Sequence, residues 1–321
     1  MGVITLPGGK KVIDIHAHFW ARRKDLNQTT PGLHPLAAEY NRERSQRMML
    51  EWDQEGPPEP MVEGPEAEDA LIGRWAGEVA RYNLEVVNFL TGSSNEALAK
   101  VIQKYPGKFT GFAFHKPELP DALEQLKYAV EELGLRGYKM MGPRVEVDWT
   151  DPHMKPIWTY MAEKKLPALI HFGPLGRAGG VVYHKHMNPL TIFPIARDFP
   201  DIPFIIPHFG CGYMRELLQL CWSCPNIYVD TSGSNQWMRW EPYPMDLDLA
   251  FRKFYETIGP KRILFGTDSM WFPRGFVYRY LQDQIRSVRY LNMHDEDIVD
   301  IFHDNAARLL KLEDGGKKES G

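Results

Sequence analysis

The chain is poor in cysteine: Cys211, Cys221 and Cys224 are the only three in 321 residues. An odd count, with no secretory leader in view, predicts a reducing compartment, the cytoplasm, rather than a disulfide-stapled scaffold. The stretch CWSC (221–224) has C-x-x-C spacing, but no second pair exists to complete a structural zinc site. It closes a helical pattern instead of opening a helix, so it reads as a small apolar helix end. Long hydrophobic runs are missing too. No apolar stretch approaches the ~20 residues of a spanning helix, and MGVITLPGGKK has no apolar core of the signal-peptide kind. Charge of one sign is also lacking: the formal net charge is −4 at pH 7. That leaves no basic footprint for nucleic acid or an anionic membrane surface. No G-x-G-x-x-G opens a first helix, which argues against a doubly wound dinucleotide fold.

What the chain does have is alternation. Runs rich in β-branched and aromatic residues occur at 12–16, 85–90, 108–115, 136–141, 166–172, 202–209, 226–232 and 261–268, separated by helical periods. Hydrophobic content of 43% and charged content of 25% are globular values. Repeated strand-then-helix order implies parallel pairing with right-handed crossovers. Eight such units over this length predict a single-domain TIM (β/α)8 barrel spanning 1–321, with strand one at 12–18. The segment at about 19–81 holds one helical stretch and a Pro/Glu-rich loop, GPPEPMVEGPEAED. It is expected to be a long insertion capping the C-terminal face. GGKKESG (315–321) reads as a disordered tail.

Polar residues interrupt these apolar runs at one end. Strand one is VIDIHAHFW, and side chains two apart share a strand face, so His16 and His18 project together. LPALI ends in His171, IPFIIP in His208 and RILFGT in Asp268. In a closed barrel those ends converge on one axial cavity, where barrel active sites are built. Imidazoles and a carboxylate there suit Zn2+ or a similar borderline divalent ion. Buried polar groups without partners cost ~1–3 kcal/mol each, so clustering them as mere packing would be a steep loss.

The pieces DIHAH, LIHFG, PHFG, NIYVDTSG, ILFGTD and DNAARLLKL, in this order along nearly the whole chain, resemble the amidohydrolase superfamily. The similarity is to its amidohydrolase-related branch, which contains aminocarboxymuconate-semialdehyde decarboxylase. The resemblance implies that His16, His18, His171 and Asp268 are metal ligands and that His208 contacts substrate or metal-bound water. It implies one divalent ion per chain, Zn2+ first and Mn2+ second, and no organic cofactor. Some superfamily members carboxylate a lysine on strand four to bridge two metals, and Lys139 lies on that strand. In this branch one metal is the usual state, and the expectation for Lys139 is packing or binding an acidic substrate group.

Two reactions stay open. A metal-activated water, with Asp268 as proton acceptor and His208 acting on developing charge, gives hydrolysis of an amide, ester or lactone. The same ligands in this branch also serve non-oxidative decarboxylation of aromatic or conjugated acids. A barrel that kept its ligands and lost activity is the non-enzyme reading, which the intact ligand set opposes. Candidate substrate contacts are Trp20, Lys139, Arg144, Arg177, His184, His186, Trp271 and Arg274. The arginines are carboxylate clamps if they face the metal. The expected partner is a small-molecule substrate, without nucleic acid or membrane, and a homodimer is the assembly to test.

Overall fold

A computed structural model of the chain describes residues 3–19, 34–51, 65–175 and 180–312. Trp20, Arg177, the tail at 315–321 and most of the expected cap, 20–33 and 52–64, lie outside the described residues. The strands are β1 (Val12–Ala17), β2 (Leu84–Phe89), β3 (Phe109–Gly111), β4 (Ala113–Phe114) and β5 (Tyr138–Met141). They continue with β6 (Ala168–His171), β7 (Phe204–Ile206), β8 (Ile227–Asp230) and β9 (Ile263–Leu264). All neighbouring pairs are parallel, in the orders β1-β2-β3 and β4 through β9. The third predicted strand is divided at Phe112, whose N–H donates to Phe89 O (2.9 Å). On the far side, the continuation of β9 meets β1: Ile15 N donates to Phe265 O (3.1 Å), Asp268 N to His16 O (2.7 Å) and His18 N to Ser269 O (2.8 Å). These bonds bring the ring of strands round on itself, as the TIM barrel expectation requires.

Alternation along the strands separates two cores. Val12, Val87, Tyr138, Ala168, Phe204, Ile227 and Ile263 belong to the outer layer under the helices. Ile13, Ile15, Val86, Leu90, Phe112, Leu169, Ile205 and Leu264 fill the barrel interior, and Ala306, Leu309 and Leu310 pack against them. Those last residues lie in or just after the C-terminal helix Asn305–Leu309, so the family of DNAARLLKL plugs the interior. The axis is therefore closed by hydrocarbon at one end, and the polar strand ends face the other.

Strand β1 breaks simple alternation. Its register with β2 shifts between Asp14 and Ala17, so three residues on β1 oppose two on β2. A bulge of this kind turns one extra residue to the same side. Ile15 lies in the interior cluster while Ala17 lies in the outer layer, and His16 and His18 end on the side of the site, their ring centroids 5.2 Å apart. Side chains satisfy the disturbed backbone. His16 N donates to Asp14 Oδ1 (3.0 Å), Asn88 Nδ2 donates to Ile15 O (3.0 Å), and Asn88 Oδ1 accepts from Thr110 Oγ1 (2.8 Å). A two-residue period alone did not contain this feature.

The helix Pro65–Arg81 is a second difference. It falls within the expected cap, yet it serves as the crossover between β1 and β2. Ile72, Trp75 and Val79 repeat at helical spacing and are all buried. Trp75 meets Phe89 and Phe272 edge-on, at 5.3 and 5.5 Å between centroids. Gly73 and Gly77 weaken its helical signal in the sequence. The helical stretch expected near 36–53 is present as Pro35–Glu51. Cys221 and Cys224 are free thiols buried at the end of the helix Met214–Ser223, in keeping with a helix end.

Candidate metal centre

Three of the residues singled out in the sequence meet at the mouth of the barrel. His16, His18 and Asp268 each offer a ligand atom, all within 4.8 Å of one another. Asp268 Oδ1 lies 3.0 Å from His18 Nε2 and 3.5 Å from His16 Nε2. His208 joins this group with its ring 5.0 Å from that of His16, and His171 lies beyond it, 5.2 Å from His208. The Nε2 atoms of His16 and His171 are buried and have no hydrogen-bond partner among the described residues. A buried nitrogen left so is expected to hold something.

His16, His18 and His208 are each held from behind through Nδ1. His16 Nδ1 donates to Asp230 Oδ2 (2.5 Å), and the other oxygen of Asp230 accepts from Ser232 N (2.6 Å). His18 Nδ1 is 2.7 Å from Thr91 Oγ1. His208 Nδ1 is 3.0 Å from the carbonyl oxygen of Ser232, which can only accept. Nδ1 is therefore protonated, and in the neutral ring the lone pair is on Nε2. Ser232 Oγ stands 3.0 Å from both His16 Nδ1 and His208 Nδ1. A histidine whose second nitrogen donates to a carboxylate or carbonyl is the arrangement metal ligands favour. Asp230, Ser232 and Thr91 were missed as site residues. Asp230 breaks an apolar run, NIYVD, in the same way as the residues that were found, so the strand-end argument reaches it.

Burial sets the protonation states. It pushes His16 down to about 4 and His171 well below the usual histidine range, with Lys139 and His208 adding to the second. Both imidazoles are neutral at pH 7, as ligation demands. Asp268 is raised by burial, but the hydrogen bond with His18 and the imidazoles of His16 and His208 outweigh this and hold it well below the carboxylate range. Asp14, below the site, is pushed up to about 7 by burial despite accepting from Thr267 Oγ1 (2.5 Å). Gly266 leaves the room these groups need: a Cβ there would stand 2.9 Å from His16 Cβ and 3.0 Å from Asp230 Oδ1.

The other candidates divide. Lys139 points inward among these groups and is buried. Arg274 donates to Tyr280 Oη (2.7 Å) and stacks 5.0 Å over Trp271, on the loop that follows Asp268. Trp271 Nε1 is buried without a partner among the described residues. Arg144 is exposed on a short turn, Gly142–Arg144, after β5. His186 is occupied elsewhere: its Nε2 is 2.7 Å from Val147 O and its ring lies on Trp149. His184 accepts from His186 N (3.1 Å) and lies 3.9 Å from Glu146, at the rim.

A ring of parallel strands with imidazoles and a carboxylate converging at one mouth defines a barrel enzyme with a candidate metal centre. The amidohydrolase family model matches residues 13–312, and the chain belongs to that family of enzymes. A 2-keto-4-carboxy-3-hexenedioate hydratase of Sphingobium sp. is 25% identical over 262 residues, 71% of this chain and 73% of that protein. An uncharacterized TIM-barrel protein of Bordetella bronchiseptica superposes with a TM-score of 0.61 at 21% identity, covering 94% of this chain and 99% of the other. The 5-carboxyvanillate decarboxylase of Novosphingobium aromaticivorans, solved with manganese, gives 0.61 at 18% identity, covering 97% and 100%.

Proposed function

We propose that the chain is a metal-dependent hydrolase of a small organic amide, ester or lactone. The observation that carries this reading is the convergence of His16, His18 and Asp268, with the partnerless Nε2 of His16 and His171 beside them. Three neutral imidazoles and one carboxylate fit a zinc ion, with manganese the alternative. Such an ion, when bound, polarises a carbonyl and lowers the pKa of a coordinated water to about 7.

The chain's own residues do the rest. Asp268 remains ionised and takes the proton of the attacking water. In the neutral ring His208 has a lone pair on Nε2, so it can take that proton on from Asp268 and return it to the leaving group. Asp230 and the Ser232 carbonyl keep both imidazoles in the required tautomer. Trp271, Arg274 and Tyr280 form the wall next to Asp268 and would contact the substrate, with His184 and Arg144 at the rim. His186, held by Val147 and Trp149, would support the rim rather than touch substrate.

Decarboxylation of an aromatic or conjugated acid is the second reading, favoured by Arg274 on the loop that follows Asp268. Hydration of a conjugated acid, the activity named for the Sphingobium relative, would draw on the same water-activating pair. The test is elemental analysis followed by turnover on lactones, esters, amides and aromatic acids, read by acid release, CO2 release and loss of conjugation. Bound metal with hydrolysis is expected. An active chain free of metal, or CO2 release alone, would overturn the proposal.

A further inference from the structure

Among the described residues Lys139 is the only buried lysine, with 1% of its surface exposed. It lies on β5, whose ladder with β6 pairs Lys139 with Leu169 and Met141 with His171. Leu169 belongs to the interior cluster and His171 to the site. The Lys139 side chain therefore starts one layer below the ligands and rises toward them. Asp268 and Asp230 act on its ammonium, and the ammonium acts on His16 and His171. It nevertheless makes no hydrogen bond or ion pair among the described residues.

A buried ammonium without a partner costs several kcal/mol, and a methionine would fill the same space without that loss. Charge balance points the same way. A divalent ion and the Lys139 ammonium carry three positive charges, and Asp268 and Asp230 supply two negative ones, His16 being neutral. The site then holds one positive charge in excess, which one anionic group of a substrate would neutralise.

We propose that Lys139 is a specificity-determining residue that binds a carboxylate which the substrate keeps through the reaction. The charge count rests on the metal-dependent reading above; the ion pair itself does not. A carboxylate about to leave as CO2 is the wrong occupant. It becomes neutral in the transition state, so a lysine would stabilise the ground state and slow the step. Lys139 thus fits hydrolysis of an acidic substrate at a bond away from that carboxylate.

The test uses benzoate and its neutral isostere benzamide as probes, with calorimetry on the zinc-loaded wild type and on Lys139→Met and Lys139→Arg. Intact mass and zinc content are measured on the same samples. Benzoate affinity is expected to fall about tenfold or more in Lys139→Met and to recover in part in Lys139→Arg, while benzamide changes less than about twofold, as loss of a desolvated charge pair requires. Zinc should stay at one per chain. Equal benzoate affinity in wild type and Lys139→Met, or no benzoate binding to wild type, would overturn the proposal. So would a carboxylated lysine in the intact mass with loss of zinc in Lys139→Met, which would make Lys139 a bridging ligand. A chain that binds no zinc overturns the metal reading alone, because the benzoate comparison is then made on the metal-free protein.

Discussion

Replacing Asp230 by asparagine tests whether the site is organised from behind. Both carboxylate oxygens of Asp230 are in use as acceptors, one from His16 Nδ1 and one from Ser232 N. Asparagine has one acceptor and one donor in the same space, so either orientation sets an N–H against an N–H. If the amide nitrogen faces His16, the imidazole must move its proton to Nε2, the atom that would ligate. If it faces Ser232, a buried donor is left unpaired, at ~1–3 kcal/mol. Loss of such a supporting partner typically lowers metal affinity ~10–100-fold, or ~1.4–2.7 kcal/mol. The measurement is zinc affinity by competition with a chelator at neutral pH, with Ser232→Ala as the comparison. That substitution removes only the hydroxyl and leaves the backbone N–H and carbonyl of residue 232 in place, so its effect should be far smaller. Asp230→Asn binding zinc as tightly as wild type, or Ser232→Ala losing as much, refutes the reasoning.

Chelation should remove about one divalent ion per chain and lower the melting temperature; two ions per chain would contradict a mononuclear site. His16→Ala should strip the metal, whereas His208→Ala should retain it and lose kcat equivalent to ~2–4 kcal/mol; metal loss in His208→Ala would make it a ligand. Asp268→Asn should keep part of its metal and lose turnover, since an amide cannot accept the proton; retained turnover would shift the base elsewhere. Lys139 falls from 10.5 to about 8 on folding, so the unfolded chain binds more protons between those values and stability rises with pH across that window. Metal-free Lys139→Met should therefore be more stable than wild type by roughly 3 kcal/mol at neutral pH, an advantage that shrinks above about pH 8. Equal urea midpoints for the two at neutral pH would show that the lysine is not strained by burial.

The strand-end residues were legible because a parallel barrel forces one simple rule. Where an apolar run stops at a histidine or aspartate, that side chain faces the shared cavity, and His16, His18, His208 and Asp268 obey it. Alternation across Ala17 sets His16 beside His18, but a bulge on β1 shifts that pair out of phase with Ile13 and Ile15, which alternation alone did not reveal. The residues that make the bulge possible, Asp14, Asn88 and Thr110, look like scattered polar residues in three separate strands until the backbone groups they satisfy are known. The helix Pro65–Arg81 was hidden by its two glycines and by the Pro/Glu-rich stretch before it. Orientation was least legible: nothing in YHKHMNP distinguishes His186, spent on Val147 and Trp149, from a substrate contact.

The two residues proposed for proton transfer differ in backbone from His16 and His171. His16 and His171 sit within extended strands. His208 and Asp268 have φ values of 59° and 57°, in the left-handed region that residues with a Cβ adopt at some energetic cost. That conformation ends the strand and turns its last side chain back over the barrel axis, which an extended continuation would carry onward. Bonds on both sides hold the turn at Asp268: its own N–H donates to His16 O, and the next residue's carbonyl accepts from His18 N. Beneath them Asp14 accepts from both Thr267 N and Thr267 Oγ1. The strand that carries His16 and His18 thus also fixes the turn that presents Asp268. A change in β1 and a change in the segment 267–269 should be felt at the same atoms, because the site is one hydrogen-bonded unit built across the seam where the barrel closes.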